Sequence, residues 1–246
     1  MSDVRRWDTL TREEVSAVAA DALLVLPVGT TEQHGPHLVT GTDAALVGAV
    51  AERAAVLAAR PDVVLLAPTL AYGASDHHLP FGGTLSLRVS TLQAVLADLL
   101  ASAAVSGCRR VFVLNGHGGN AAACEIAVAE ASREHGILAA TALFSQLLEP
   151  NALELQIAGH AGVFETSLML ALHPERVRAG QAAPSPGGTA RARARGLVVS
   201  EPKRWQELNG YTDRPDTATA ELGEVALRAA AAAAAACFEE VAGLAI

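Results

Sequence analysis

The chain has 246 residues, 51% hydrophobic, 18% charged and only 4% aromatic, which excludes a disordered protein and predicts a core of Ala, Val and Leu. At that length about three quarters of the unfolded-chain surface becomes buried, so one domain over residues 1–246 is the simplest organisation. The net charge of −8 argues against nucleic acid and anionic membrane surfaces as partners.

Thr11-Arg12-Glu13-Glu14 has the spacing of a capping box and predicts a short first helix. The continuous apolar run 22–28 predicts a strand buried on both faces. After a loop over 29–42, residues 43–60 combine helix formers with helical apolar spacing, and Pro61 ends that helix. Residues 63–67 read as the next strand. A second capping-box sequence, Ser90-Thr91-Leu92-Gln93, predicts a helix to about residue 106, with Gly107 at its end. A strand over 110–114 follows, then a helix capped by Asn120 and closed by Gly136, then a strand over 137–143.

Residues 162–172 predict a helix that ends before Pro174. The segment 181–196, rich in Pro, Gly, Ala and Arg, predicts an exposed loop or a subunit contact. A strand is expected over 196–200 and a long Ala-rich helix over 216–242. Strand and helix alternate, and parallel strands need helical crossovers. The expected fold is therefore α/β, a three-layer sandwich with a mainly parallel central sheet and helices on both faces.

Cys108, Cys124 and Cys237 are odd in number and without C-x-x-C spacing, which predicts reduced, buried thiols rather than disulfides or a thiolate zinc site. The first residues are polar with no apolar segment behind them, and no apolar run is long enough to span a membrane, so a cytoplasmic location is expected.

Six of the eight histidines fall in short polar clusters that begin where apolar runs end. The first holds Glu32, His34 and His37, with Asp43 at the next helix start. The second is Ser75-Asp76-His77-His78, the third Asn115-Gly116-His117-Gly118-Gly119-Asn120, and the fourth His160 with Glu165. Carboxylate and imidazole donors suit zinc, manganese or iron(II), a carboxylate can bridge two ions, and loops at the carboxyl ends of parallel strands converge on one crevice. Glu32, His34, Asp43 and His117 are thus candidate metal ligands. Asp43 also fits a plain helix cap, Glu165 a dipole-stabilising acid, and His37 a supporting or exposed position. His160 is a candidate catalytic acid/base, and Ser75, His77 and His78 are candidates for substrate contact. The glycine-rich turn at 116–119 also suits a phosphate, although neither standard phosphate-loop spacing is present.

The stretches 26–38, 72–78, 81–86, 115–120 and 160–170, above all Thr31-Glu32-Gln33-His34-Gly35-Pro36-His37, resemble the creatininase (creatinine amidohydrolase) family. The resemblance implies a creatininase-like fold, two divalent metals and frequent assembly into homohexamers. By matching motif, Glu32, Asp43 and His117 would hold one metal, and His34, Asp43 and a further carboxylate the other, with Asp43 as the bridge. Creatininase takes that carboxylate from the segment after its G-H motif, where this chain has Gly118 and Gly119, so the resemblance points to Glu165 instead. Creatininase also closes tryptophans over its substrate, whereas Trp7 and Trp205 lie outside the segment 140–165, leaving Phe144 or Phe164 as substitutes. Creatinine is therefore a poor expectation as substrate.

The leading expectation is a binuclear-metal amidohydrolase that cuts a non-peptide C–N bond of a small molecule with metal-activated water. Two alternatives stand beside it: a metallopeptidase trimming a small peptide, and a non-catalytic protein that binds a nucleotide or metabolite.

Overall fold

The computed structural model describes residues 4–148, 159–188, 199, 201 and 203–245. The strands among them are β1 (Arg5–Arg6), β2 (Leu23–Val28), β3 (Val64–Leu66), β4 (Arg110–Asn115) and β5 (Leu138–Leu143). They pair in parallel in the order β1-β3-β2-β4-β5. The helices are α1 (Arg12–Val18), α2 (Thr42–Leu57), α3 (Val89–Val105), α4 (Ala121–His135), α5 (Val163–Leu172), α6 (Arg204–Glu207) and α7 (Ala220–Gly243).

Side chains alternate across the two faces of the sheet, which is why the central strands read as unbroken apolar runs. Leu23 and Val25 of β2, with Phe112 and Leu114 of β4, pack against α2, α5 and α7. Leu24 and Leu26, with Val111 and Val113, pack against α1, α3 and α4. The result is the expected three-layer sandwich, with every strand pair parallel. Alanine and glycine let the helices approach closely: a Cβ on Gly223 of α7 would strike the backbone of Ser167 in α5. Pro27 lies inside the central strand β2, yet its missing N–H falls on the side where β3 has already ended at Leu66, and its carbonyl still accepts from Leu70 N–H at 2.9 Å.

The connection from β2 through α2 leads to one side of β2, whereas that from β4 through α4 leads the opposite way with its helix on the other face. Adjacent strands whose connections diverge leave a crevice at their carboxyl ends. That crevice lies between β2 and β4.

Several local expectations need correction. The capping box at Thr11 forms, but the one at Ser90 does not. Leu87 N–H is tied to Gly73 O at 2.8 Å, the helix starts at Val89, and Ser90 already lies inside its first turn. Asn120 precedes α4 without capping it, because its side chain bonds Ala74 N–H and Gly29 O instead. The second helix stops at Leu57 rather than residue 60, and the last starts at Ala220, where Thr219 accepts from Leu222 N–H. Neither β1 nor α6 was expected. The strand expected over 196–200 and much of the loop at 181–196 lie outside the described residues. Among the described residues, no helix is long and apolar enough to cross a membrane.

Candidate metal centre

The clusters that follow β2 and β4 meet in the crevice because the chain makes room for them. A Cβ on Gly29 would lie 2.6 Å from the backbone of Ala44, so glycine there lets the first turn of α2 close against the end of β2. Asp43 is thereby carried to Thr30, whose hydroxyl donates to Oδ2 at 2.6 Å. Asp43 makes no helix cap: the position before α2 is Gly41, and the carboxylate faces the crevice. Its two oxygens face different partners. His34 Nε2 lies 3.0 Å from Oδ1, and His117 Nδ1 lies 3.2 Å from Oδ2.

Glu32 Oε1 lies 3.3 Å from His117 Nδ1 and 3.4 Å from His160 Nδ1, and Glu165 Oε2 lies 3.9 Å from His34 Nε2. Three donor sets result, each with ligand atoms within 4.8 Å of one another: Glu32, Asp43 and His117; His34, Asp43 and Glu165; and Glu32, His34 and His160. Glu32 is fully buried and neither of its oxygens has a hydrogen-bond partner among the described residues. An ionised carboxylate in that position is stable only when paired with a cation, so the donor chemistry fits divalent metal.

The imidazole tautomers follow from their backbone partners, since a carbonyl only accepts. His34 donates from Nδ1 to Glu32 O at 3.1 Å, His117 from Nε2 to Ala74 O at 3.2 Å, and His160 from Nε2 to Gln33 O at 2.8 Å. Each therefore turns its other ring nitrogen toward the carboxylates, the arrangement that orients metal-binding histidines. Burial opposes charge on His34 and His117, but Asp43 and the neighbouring carboxylates overcome it and raise both to about 10. Burial opposes ionisation of Asp43 too, and His34 and His117 overcome it, holding Asp43 well below the usual carboxylate range. Burial raises Glu165 to about 7 and lowers His160 well below its usual value, so His160 is neutral.

The other candidates fall around this cluster. Ser75 is fully buried, with Oγ 3.4 Å from His117 Nε2, on the side of that ring away from the carboxylates. His77 lies at the rim, its ring parallel to His117 at 5.6 Å. His78 is buried, stacked on His160 at 4.1 Å. His37 is also buried, and it donates from Nε2 toward Ala161 O and Thr166 Oγ1, each at 3.0 Å, which ties the first loop to α5. Phe144 and Phe164 are core residues packed on each other, so neither substitutes for a tryptophan at the site.

Sequence reasoning missed a tryptophan that does reach the site. Trp205, on α6, lies 4.7 Å from the His78 ring and 5.5 Å from that of His160. No motif surrounds it, and only tertiary packing reveals it. Thr30, Gln33 and the segment 209–213 were also missed. In that segment, Thr212 exchanges hydrogen bonds with the backbone of His160, and Asp213, at φ +52°, accepts from Val163 N–H at 2.9 Å and so caps α5.

The family model for creatininase, described as creatinine amidohydrolase, matches residues 8–238. The chain belongs to the creatininase family. Among creatininase-family relatives, the mycofactocin precursor peptide peptidase of Mycobacterium tuberculosis (strain H37Rv) is 38% identical over 81% of this chain and 78% of its own length. The creatinine amidohydrolase of Pseudomonas putida is 35% identical over 67% of this chain and 69% of its own. A creatininase crystal structure superposes with a TM-score of 0.83 at 29% identity, covering 99% of this chain and all of that one. A structure titled "Creatininase Mn" gives a TM-score of 0.80 at 29% identity over 97% of this chain and 98% of that one. A mutant creatininase described as Zn-Zn type gives 0.79 at 28% identity, with the same coverage. The protein is thus a creatininase-family hydrolase with a cluster of residues suited to divalent metal.

Proposed function

We propose that the protein hydrolyses an amide C–N bond using two divalent cations per subunit, zinc, manganese or iron(II), within one domain over residues 1–246. The observation that carries this reading is the division of Asp43 between two donor sets. Glu32, Asp43 and His117 hold one cation, and His34, Asp43 and Glu165 the other. When bound, the cations supply the Lewis acidity that lowers the pKa of water toward ~7 and polarises a carbonyl.

The chain's own residues then move the proton and place the substrate. Neutral His160 takes a proton from water at Nδ1 and delivers it to the departing nitrogen, a role often worth ~10²–10⁴ in rate. Gln33 O holds His160 Nε2–H, so the ring cannot turn away. Ser75 steadies the His117 ring, while His77 and Trp205 form the rim that the substrate passes. With no glutamate at 118 or 119, the carboxylate from α5 completes the second donor set.

The bond cut is a peptide bond of a short peptide. The relatives named as peptide peptidases match more of this chain, at higher identity, than the creatinine amidohydrolase does, which moves the weight from non-peptide amides to peptides. Three unpaired cysteines favour a reducing, cytoplasmic setting, and exposed Tyr72, Leu79, Leu85 and Val105 favour assembly, which we take as hexameric.

Turnover of short peptides, creatinine, lactams and formamides by zinc- or manganese-loaded protein tests the reading. Cleavage of a peptide, abolished in Asp43→Ala together with loss of both ions by elemental analysis, is the expected result. Full turnover by Asp43→Ala, or a chelator-insensitive wild type, would overturn it.

A further inference from the structure

Gln33 gives His78 a different chemistry from that of His34, His117 and His160. The orientation of the Gln33 amide is fixed by two backbone groups: Gly35 N–H donates to Oε1 at 2.9 Å, and Gly210 O accepts from Nε2 at 2.7 Å. The second proton on Gln33 Nε2 points to His78 Nδ1 at 2.9 Å; His160 Nε2 lies farther off, at 3.2 Å, and gives its own proton to Gln33 O at 2.8 Å. A ring nitrogen that accepts a hydrogen bond is bare, so the proton of neutral His78 resides on Nε2. His34, His117 and His160 each give one N–H to a backbone carbonyl and turn the other nitrogen to the carboxylates; His78 accepts from an amide and turns an N–H there.

That N–H is fully buried and has no partner among the described residues. Its nitrogen is 3.7 Å from Glu32 Oε1, outside hydrogen-bonding distance. Leaving a buried donor unpaired costs free energy, and a fold keeps such a group where an incoming atom completes it. The ring is held by Gln33 on one side, by His160 stacked at 4.1 Å and by the Trp205 edge at 4.7 Å. It therefore points a fixed dipole into the crevice beside the group that handles the proton.

We propose that His78 is a catalytic residue that donates its Nε2–H to the oxygen of the scissile carbonyl as that oxygen gains charge on water attack. The proposal rests on the amide-hydrolysis reading above. No bond to His78 forms or breaks: water adds to the carbonyl carbon, the oxygen accepts the hydrogen bond, and the proton from water leaves with the nitrogen. The competing role is purely supportive, with His78 holding Glu32 in place for metal.

The test uses the zinc-loaded full chain as wild type, His78→Ala and His78→Gln, with inorganic phosphate as a tetrahedral oxyanion probe. His78→Ala is expected to keep its zinc by elemental analysis and lose ~10²–10³ in kcat on the peptide found in the panel, with KM little changed. Its phosphate affinity by calorimetry falls at least about tenfold, while His78→Gln, which places an N–H close to the same point, regains most of both losses. Nitrogen NMR of the wild type is expected to show His78 protonated at Nε2.

Loss of zinc in step with activity would instead assign His78 to Glu32. Unchanged kcat and phosphate affinity, or a proton on Nδ1, would also overturn the proposal. The NMR measurement stands even where the alanine variant does not fold. A wild type without zinc or turnover would refute the hydrolase reading, and phosphate binding would then still decide whether His78 is a donor.

Discussion

His34 and His117 carry protons where the donor sets call for cations. Both are raised to about 10 because burial, which opposes charge, is outweighed by Asp43 and its neighbouring carboxylates. A metal must displace these protons, so binding is expected to release them and to tighten as the pH rises from about 6 to about 9. Calorimetry in buffers of different ionisation enthalpy counts the protons; an affinity independent of pH would refute the displacement. The same shift sets the stability of the metal-free protein. Values above the unfolded-chain 6.5 stabilise the fold below that pH, and the contribution disappears as the pH climbs toward 10. Glu165, raised to about 7 by burial, loses stability in the same direction between 4.5 and 7. Melting midpoints of chelated protein should therefore fall on going from about pH 7 to about pH 9. At this scale the ligand candidates were legible, since Glu32, His34, Asp43 and His117 lie within or beside dense local motifs. Thr30, Gln33 and Trp205 were not, because each acts through a contact distant in sequence.

Local helix signals succeeded where no tertiary contact competed. Thr11 and Gly136 play the parts their spacing suggests, whereas the Asn120 side chain is drawn to Ala74 and Gly29, and the chain enters α3 with Leu87 pinned to Gly73. Thr219 and Asp213 make a contrasting pair, since the side chains of both bond the first turn of a helix but only that of Asp213 holds the helix that carries Glu165. Each change to alanine should cost ~0.5–2 kcal/mol, as loss of a cap does. Asp213→Ala should also weaken metal binding at the donor set that includes Glu165, while Thr219→Ala leaves metal affinity unchanged. Thermal melts and zinc titrations of both variants check this, and equal metal affinities would remove the Asp213 segment from the site.

The whole molecule places the crevice between two apolar layers that do not share its chemistry. Leu96 belongs to the layer of α1, α3 and α4 and to no donor set, so Leu96→Ala should lose ~2–5 kcal/mol of stability yet keep its capacity for metal. Metal at about 100 times its Kd should restore ~2.7 kcal/mol, which melts with and without chelator would measure. Doubly covered strands were legible from continuous apolar runs. Strand order was not, because it depends on where each crossover lands, and β1 is two exposed arginines that no apolar pattern marks.

The donors are gathered from Glu32 through Glu165, and the loop that seats the last of them closes only with Thr212 and Asp213. A chain emerging from the ribosome cannot assemble this centre until its final long helix is about to be made. A half-finished chain therefore carries at most the set of Glu32, Asp43 and His117, and the set that needs Glu165 comes together last.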